Sequence, residues 1–229
     1  MRGLVSLATL LLCAAFILAS TSDAGAQCSA RDVLQRQLSL KATPAVPRLQ
    51  GPVVSASDVA GWRAIIIGTF PDAFALSGAL SAIGCGIGDT AAAALATPAF
   101  TVSDTRRVME LVTVSAADMG FKNETVSLRQ IHDFAQQLGF GLAPPEIALQ
   151  LRLQYLDQPV GEFLIVGMKP IRTWTGEEIV LTVANGGAGL ILIGQDGRYD
   201  AEIPVTSRFV FVRPAPGAPA ALAEANFPD

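Results

Sequence analysis

Hydrophobic and polar side chains alternate strictly from Leu149 to Tyr155, with apolar residues at odd positions and glutamine or arginine between them. A period of two is typical of a strand that has one face in a core. Asp157 to Gly161 then breaks the pattern with a proline and a glycine, which favour a turn, before an apolar run resumes. The pattern therefore predicts a β-hairpin over Leu149–Ile171, with Arg152 on its polar, solvent-facing side.

The chain before this hairpin alternates strand and helix. Trp62 to Thr69 contains three consecutive isoleucines between two glycines, as expected of a strand buried on both faces. Asp72 is placed to cap a helix, and Gly84 stands where a left-handed residue would end it. Val108 to Val114 predicts the next strand.

A second helix is predicted from a capping box, in which Ser127 and Gln130 can satisfy each other's backbone N–H groups. Gly139 is placed to end it. His132, the single histidine of the chain, lies beside the apolar stripe of this helix. Such a position is more typical of a residue at the core boundary than of a catalyst.

The glycine-rich segment Gly84–Asp89 invites comparison with a phosphate-binding loop. It follows a predicted helix rather than a strand, and its third glycine is misplaced for a dinucleotide fingerprint. We therefore expect a glycine connection in which Asp89 caps a short helix that Pro98 stops.

Three further strands are predicted beyond the hairpin, at Glu178–Ala184, Leu190–Ile193 and Arg208–Val212. With the hairpin they make five strands between residues 149 and 212. The expected fold class is α+β, an N-terminal strand and helix alternation packed with a C-terminal antiparallel β-sheet or small barrel. The predicted organisation is a signal peptide (1–26), a region of N-terminal helix and Pro-rich linker (27–58, with the helix at 29–40 and the linker at 41–58), an α/β-like region (59–147), a β-rich region (148–213) and a disordered tail (214–229).

The N-terminus has the features of a signal peptide. Arg2 precedes a continuous apolar run from Leu4 to Ala19, and Ala24–Ala26 offers small residues at the cleavage site. An apolar run of this length is shorter than the roughly 20 residues that span a bilayer, so cleavage is favoured over an uncleaved anchor. Lipidation of Cys28 is disfavoured because Gln27 precedes it. We expect a periplasmic or secreted protein with no membrane span after cleavage.

Export determines how the three cysteines are interpreted. Cys13 leaves with the signal peptide, so Cys28 and Cys85 have each other as the remaining intramolecular partner. In an oxidising compartment this predicts a disulfide, and the alternative is two unrelated buried thiols. The net charge of −4 gives no nucleic-acid footprint.

The inventory of reactive side chains limits the possible chemistry. With one histidine and no free cysteine after pairing, Cys-His catalysis and His-rich metal sites are excluded. A Ser-His-Asp triad would have to use His132, no G-x-S-x-G motif is present, and neither a cofactor nor a metal is expected. Paired carboxylates remain as candidates for catalysis. The residues from which such a pair could come are Asp104, Glu146, Asp157, Glu162 and Asp196.

Polar and aromatic side chains cluster around the hairpin turn, where they could contact a protein or a small-molecule ligand. The candidate binding residues are Arg152, Gln154, Tyr155, Asp157 and Glu162. The alternative is a solvated strand face with a tight turn. Two functions are therefore considered: a non-catalytic binding or envelope-associated module, and a carboxylate-dependent hydrolase of cell-envelope material.

Three motifs carry a resemblance to other proteins: QLRLQYLDQPVGE (150–162), GCGIGD (84–89) and SRFVFV (207–212). Together they resemble an uncharacterised group of bacterial proteins over about residues 62 to 213. The resemblance implies a shared fold, and it implies nothing about activity, site or substrate.

Overall fold

The computed structural model describes residues 52–213 of the chain. The predicted signal peptide, the predicted helix 29–40, Cys28 and the predicted tail lie outside the described residues. Within this range lie a single 3-10 turn (Ala56–Asp58) and four α-helices: α1 (Ala73–Ala82), α2 (Asp89–Leu95), α3 (Leu128–Gln137) and α4 (Glu146–Gln154). The strands of the same range are β1 (Arg63–Ile67), β2 (Gly86–Ile87), β3 (Arg107–Ser115), β4 (Thr125–Ser127), β5 (Phe163–Val166), β6 (Ile171–Arg172), β7 (Glu178–Gly186), β8 (Gly189–Asp196), β9 (Glu202–Pro204) and β10 (Arg208–Val212).

The main sheet is a curled half-barrel with the strand order β1-β3-β10-β5-β7-β8-β2, and β6 adds to β7. The β10–β5 and β8–β2 pairs are parallel, and the other pairs are antiparallel. The fold class α+β is therefore confirmed, with a mixed sheet where an antiparallel one was predicted. Strands from both predicted regions, 59–147 and 148–213, belong to this one sheet.

Helix α4 lies at the centre of the fold. It contacts β1 at one end of the sheet, β7 and β8 near the other end, and α1. Its first seven residues are all buried. The curled sheet therefore wraps around α4, which is buried between the sheet and α1.

Several local predictions are confirmed by the backbone. The Asp72 carboxylate accepts a hydrogen bond from the N–H of Ala75 at 2.7 Å and caps α1, and Gly84 has a φ of 74° just after this helix. Ser127 and Gln130 form the expected capping box of α3. Strands β1, β3, β7, β8 and β10 lie where strands were predicted.

The first strand of the predicted hairpin is wrong, because its residues form α4. Successive positions in a helix are 100° apart, so residues two apart point to nearly opposite sides. Leu149 and Leu151 therefore reach different walls of the core, and both are fully buried. A helix buried on all sides needs no amphipathic stripe. The second strand of the hairpin is confirmed as β5.

The predicted cap of α2 is also wrong, by one residue. Gly88 is the N-cap, and Asp89 is the first helical residue. Gly86 and Ile87 pair with β8 as β2, so this part of the glycine segment is a short strand at the sheet edge. None of the helices within residues 52–213 combines the length and the apolar composition that a membrane span requires.

Candidate functional site

The polar side chains of the QLRLQY motif bind the edge of the main sheet. The Gln154 amide accepts a hydrogen bond from the Ile66 N–H at 2.9 Å and donates one to the Ile66 carbonyl at 2.8 Å. Because β1 is the terminal strand of the sheet, this amide takes the place of a neighbouring strand. Gln154 also donates to Gln150, one helical turn earlier, at 3.1 Å.

Glu146 begins the same polar row of α4. One oxygen of its buried carboxylate accepts from the Gly68 N–H and the other from the Ser103 N–H, each at 2.8 Å. Gln150 donates to Glu146 at 3.0 Å and to the Thr69 hydroxyl at 2.8 Å. The row Glu146–Gln150–Gln154 thus satisfies backbone groups where β1 ends.

Arg152 is fully buried, so the prediction of a solvent-facing side chain is wrong. Its guanidinium donates to the Gln158 side chain, the Tyr155 carbonyl and, at 3.2 Å, the Ala184 carbonyl. Burial lowers the pKa of Arg152 to about 10, against the opposing charges of Tyr155, Glu162 and Asp157. Since that value lies well above neutrality, the core of this protein contains a cation held by carbonyl and amide oxygens.

The loop after α4 is fastened to the end of β7. Buried Gln158 donates to the carbonyls of Glu162 and Val183, at 3.2 and 3.1 Å. Buried Asn185 donates to the Gln158 carbonyl at 2.6 Å, and its backbone pairs with Gly161 and Glu162. Asn185 belongs to β7, and its side chain also holds the 157–162 loop in place.

Tyr155 lies at the centre of an aromatic and charged cluster. Its hydroxyl donates to the Glu162 carboxylate at 2.8 Å, and its ring meets that of Trp62 edge to face at 5.1 Å. The Arg63 guanidinium lies 4.2 Å from the Tyr155 ring centroid and pairs with Asp157 at 3.2 Å. Burial raises the pKa of Tyr155, and the negative charge of Glu162 raises it further.

All five predicted binding residues therefore lie around the C-terminal end of α4. Arg152, Gln154, Tyr155, Asp157 and Glu162 each make an intrachain hydrogen bond or ion pair. Their polar atoms hold helix, loop and sheet together, which is a structural role that the sequence pattern did not indicate.

Two of the carboxylate candidates, Asp157 and Glu162, lie together around Tyr155, and the others are distributed over the molecule. Glu146, Asp157 and Glu162 are engaged in the contacts given above, and exposed Asp104 accepts from the Thr105 hydroxyl at 2.9 Å. Asp196, at the end of β8, accepts from Arg198 at 2.9 Å. Asp196 also lines a cavity.

That cavity has a volume of about 470 Å³, is open to solvent and lies between the sheet and the segment that follows β8. The strand register pairs Ile165 with Thr182 and Thr182 with Ile193, so these side chains and that of Gln195 share one face of the sheet. Gln195 donates to Thr182 across the strands. The cavity is lined by Ile165, Gln195, Asp196, Arg198, Asp200, Ala201, Glu202, Ile203, Pro204 and Ser207.

Charge is concentrated at the rim of this cavity. Arg198 pairs with Asp196 at 2.9 Å and approaches Asp200 at 4.0 Å, and Glu202 adds a third carboxylate. The hydrogen bonds from Arg198 lower the pKa of Asp196. Arg198, Asp200 and Glu202 were missed by sequence reasoning. The signal that could have indicated them is the series of charged residues at alternate positions after the candidate Asp196.

The segment over the cavity is held by the N-terminus of α3. The N–H groups of Leu128 and Arg129 donate to the carbonyls of Ala201 and Tyr199, each at 3.0 Å. Strand β9 then pairs with β4, the strand directly before α3. Helix α3 thus positions residues 199–204 at the cavity.

His132 of α3 is buried rather than at the boundary where the sequence placed it. Its ring meets that of Tyr199 edge to face, with 6.4 Å between the centroids. Within residues 52–213, neither ring nitrogen finds a hydrogen-bond partner. Burial lowers the pKa of His132 to about 4, although the charge of Asp133 acts in the opposite direction.

In the part of the chain that the structure describes, no three histidine, cysteine, aspartate or glutamate side chains are arranged to hold a metal ion. Comparison of the chain with protein-family models, with curated proteins and with solved structures finds no significant match.

Proposed function

We propose that this chain is an exported bacterial binding module that takes up a small molecule in the cavity beside β8 and β9. The supporting observation is the cavity itself, about 470 Å³ in volume and lined by both polar and apolar side chains. Small-molecule sites are commonly concave, with apolar walls and a few polar groups that fix orientation. Gln195 and Ser207 supply neutral polar groups, and Ile165 supplies an apolar wall.

A hydrolase that uses paired carboxylates is the second candidate. Asp196 and Asp200 both contact Arg198 at the cavity, so two carboxyl groups are near each other there. Such a pair needs one carboxyl group with a raised pKa to act as general acid. Arg198 lowers the pKa of Asp196 instead of raising it. Asp196 is therefore disfavoured as the general acid.

Native mass spectrometry of the mature protein, after exposure to a small-molecule extract of bacterial envelopes, tests the binding proposal. We expect an added mass on the wild-type protein and on Thr206→Tyr, and at least about tenfold less on Ser207→Tyr. Ser207 lines the cavity, whereas its neighbour Thr206 is exposed and does not. No added mass on any form, or equal occupancy of both variants, would refute the proposal.

Release of new reducing ends from isolated envelope polysaccharide distinguishes the hydrolase. If the wild-type protein releases them and Asp196→Asn does not, the chain is an enzyme and the binding proposal is replaced. If Asp196→Asn still releases reducing ends, the hydrolytic activity does not depend on Asp196 and lies elsewhere in the molecule.

Export makes a separate prediction. Because Arg2, the apolar run and Ala24–Ala26 occur together, we expect a soluble periplasmic protein that begins at Gln27. Intact-mass measurement of the periplasmic fraction decides it. A mass that retains residues 1–26, or one that carries lipid on Cys28, would contradict export by cleavage.

We further propose the disulfide Cys28–Cys85. Cys85 is buried directly after α1, and a bridge from Cys28 would close a loop of more than 50 residues. On the chain-entropy model such a bridge stabilises the folded state by roughly 4 kcal/mol. Thiol titration of the denatured exported protein should find no free thiol, and Cys85→Ser should melt at a lower temperature. Two titratable thiols would exclude the bridge.

A further inference from the structure

His132 is an unusual side chain to bury in α3. Both of its ring nitrogens are shielded from solvent, and neither has a hydrogen-bond partner among the described residues. A buried polar group without a partner is costly, and a buried charge without one is costlier still. The site therefore accepts the neutral imidazole and disfavours the protonated one.

The surroundings of His132 connect it to the cavity. Tyr199, whose ring it meets, belongs to the segment that lines the cavity, between Arg198 and Asp200. The backbone of the same segment is fastened to α3 through the N–H groups of Leu128 and Arg129. Loss of the packing between His132 and Tyr199 would loosen this attachment directly.

The charged groups near His132 do not offset the cost of burying the protonated imidazole. On α3, Asp133 favours the protonated form, and burial opposes it more strongly. Arg129 lies over the Tyr199 ring at 4.6 Å, so a cation is already present where α3 meets the segment. On the segment, the Arg198 guanidinium pairs with Asp196 and approaches Asp200, and exposed Glu202 lies on β9 opposite Ser127 of β4.

We propose that His132 is a pH-sensitive switch, in which protonation of the buried imidazole releases residues 199–204 from the N-terminus of α3 and so opens the cavity. The release acts on the segment whether or not a ligand binds, and only its consequence for uptake rests on the proposed function. In the open form the imidazole reaches water, where its charged form is solvated. Acidification therefore favours the open form.

The size of the effect follows from linkage. An exposed histidine has a pKa of about 6.5, whereas burial lowers that of His132 to about 4. Between these values the open form binds a proton that the closed form does not. The opening constant should thus rise about tenfold for each pH unit lost, and roughly 10²-fold or more in all.

Hydrogen exchange of the mature protein between pH 7 and pH 4 tests the switch, after correction for intrinsic exchange rates. We expect the protection factors of the Leu128 and Arg129 amides to fall about tenfold per pH unit below about 6.5. The Thr173 amide, bonded to the Glu177 carbonyl in the β6–β7 turn, serves as the internal control and should not follow this slope. In His132→Phe and His132→Gln, which cannot take up the proton, the slope should disappear.

Three results would overturn the switch. The first is a pH-independent protection of Leu128 and Arg129 in the wild-type protein. The second is an unchanged slope in either variant. The third is protection of these two amides equal to that of the slowest amides of β7, because the opening would then be global unfolding. None of these results depends on the identity of a ligand, so failure of the switch and failure of the binding proposal are distinguishable.

Discussion

Arg152→Ala should lower the free energy of unfolding by about 3–5 kcal/mol. The substitution removes a fully buried guanidinium and leaves the Gln158 side chain and the carbonyls of Tyr155 and Ala184 without their donor. It also leaves a cavity beneath the loop that follows α4. Denaturant unfolding followed by circular dichroism measures the loss.

Arg107→Ala is the matched control, because Arg107 is exposed on β3. It should change the stability by no more than about 0.5 kcal/mol. Arg152→Lys adds a second comparison, since lysine keeps the charge but lacks the planar fork that serves several acceptors at once. We expect the free energy of unfolding of Arg152→Lys to lie between those of Arg152→Ala and Arg107→Ala. An Arg152→Ala variant as stable as Arg107→Ala would mean that the loop does not depend on this cation.

The two helices with the clearest polar patterns show why sequence reasoning succeeded in one and failed in the other. Helix α3 buries one stripe, with Leu128, Ile131 and Ala135 inside, and it begins with a capping box, so period and cap agree. Helix α4 is surrounded by protein, and its polar residues face backbone groups of the sheet rather than water. The alternation of apolar and polar residues along α4 therefore did not indicate which side chains are exposed to solvent.

A different signal in the same stretch does fit a helix. Glu146, Gln150 and Gln154 are four residues apart, the spacing that aligns side chains along one helical face. The preceding Pro144–Pro145 pair is also compatible with a helix start. These features compete with a strict period of two over seven residues, and only tertiary contacts decide between them.

The cavity could not be predicted for a topological reason. It forms where β5, β7 and β8 present one face beneath residues 196–207. This segment contains β9, which is three residues long and includes Pro204. A strand so short cannot be recognised from its sequence pattern. Asp196 was one of the candidate carboxylates, whereas the position of its neighbours across the cavity depends on the pairing of β9 with β4.

The motif that extends from Gln150 to Glu162 has a physical explanation in this structure. Its polar side chains bond the edge of β1, Thr69 just after that strand, and the end of β7. A motif of this kind specifies how a helix closes a curled sheet. We therefore expect it in chains that share the fold, irrespective of what their cavities bind.

Glu146→Ala should lower the free energy of unfolding by about 3 kcal/mol or more, because one carboxylate serves two chain segments. It accepts from the Gly68 N–H, just after β1, and from the Ser103 N–H, in the segment before β3. Hydrogen bonds to a charged group each contribute about 1.5–3 kcal/mol, and the Glu146 side chain is almost completely buried. Its place in the first turn of α4 adds a favourable interaction with the helix dipole.

Glu146→Gln distinguishes the hydrogen bonds from the packing. The amide has the same shape, but its NH₂ group would face one of the two N–H donors, so we expect a loss of about 1–3 kcal/mol. Exposed Glu124→Ala is the control and should stay within about 0.5 kcal/mol of the wild-type protein. Denaturant unfolding of the three variants measures their free energies of unfolding and so ranks them. If Glu146→Gln were as stable as the wild-type protein, the carboxylate charge would be dispensable at this position.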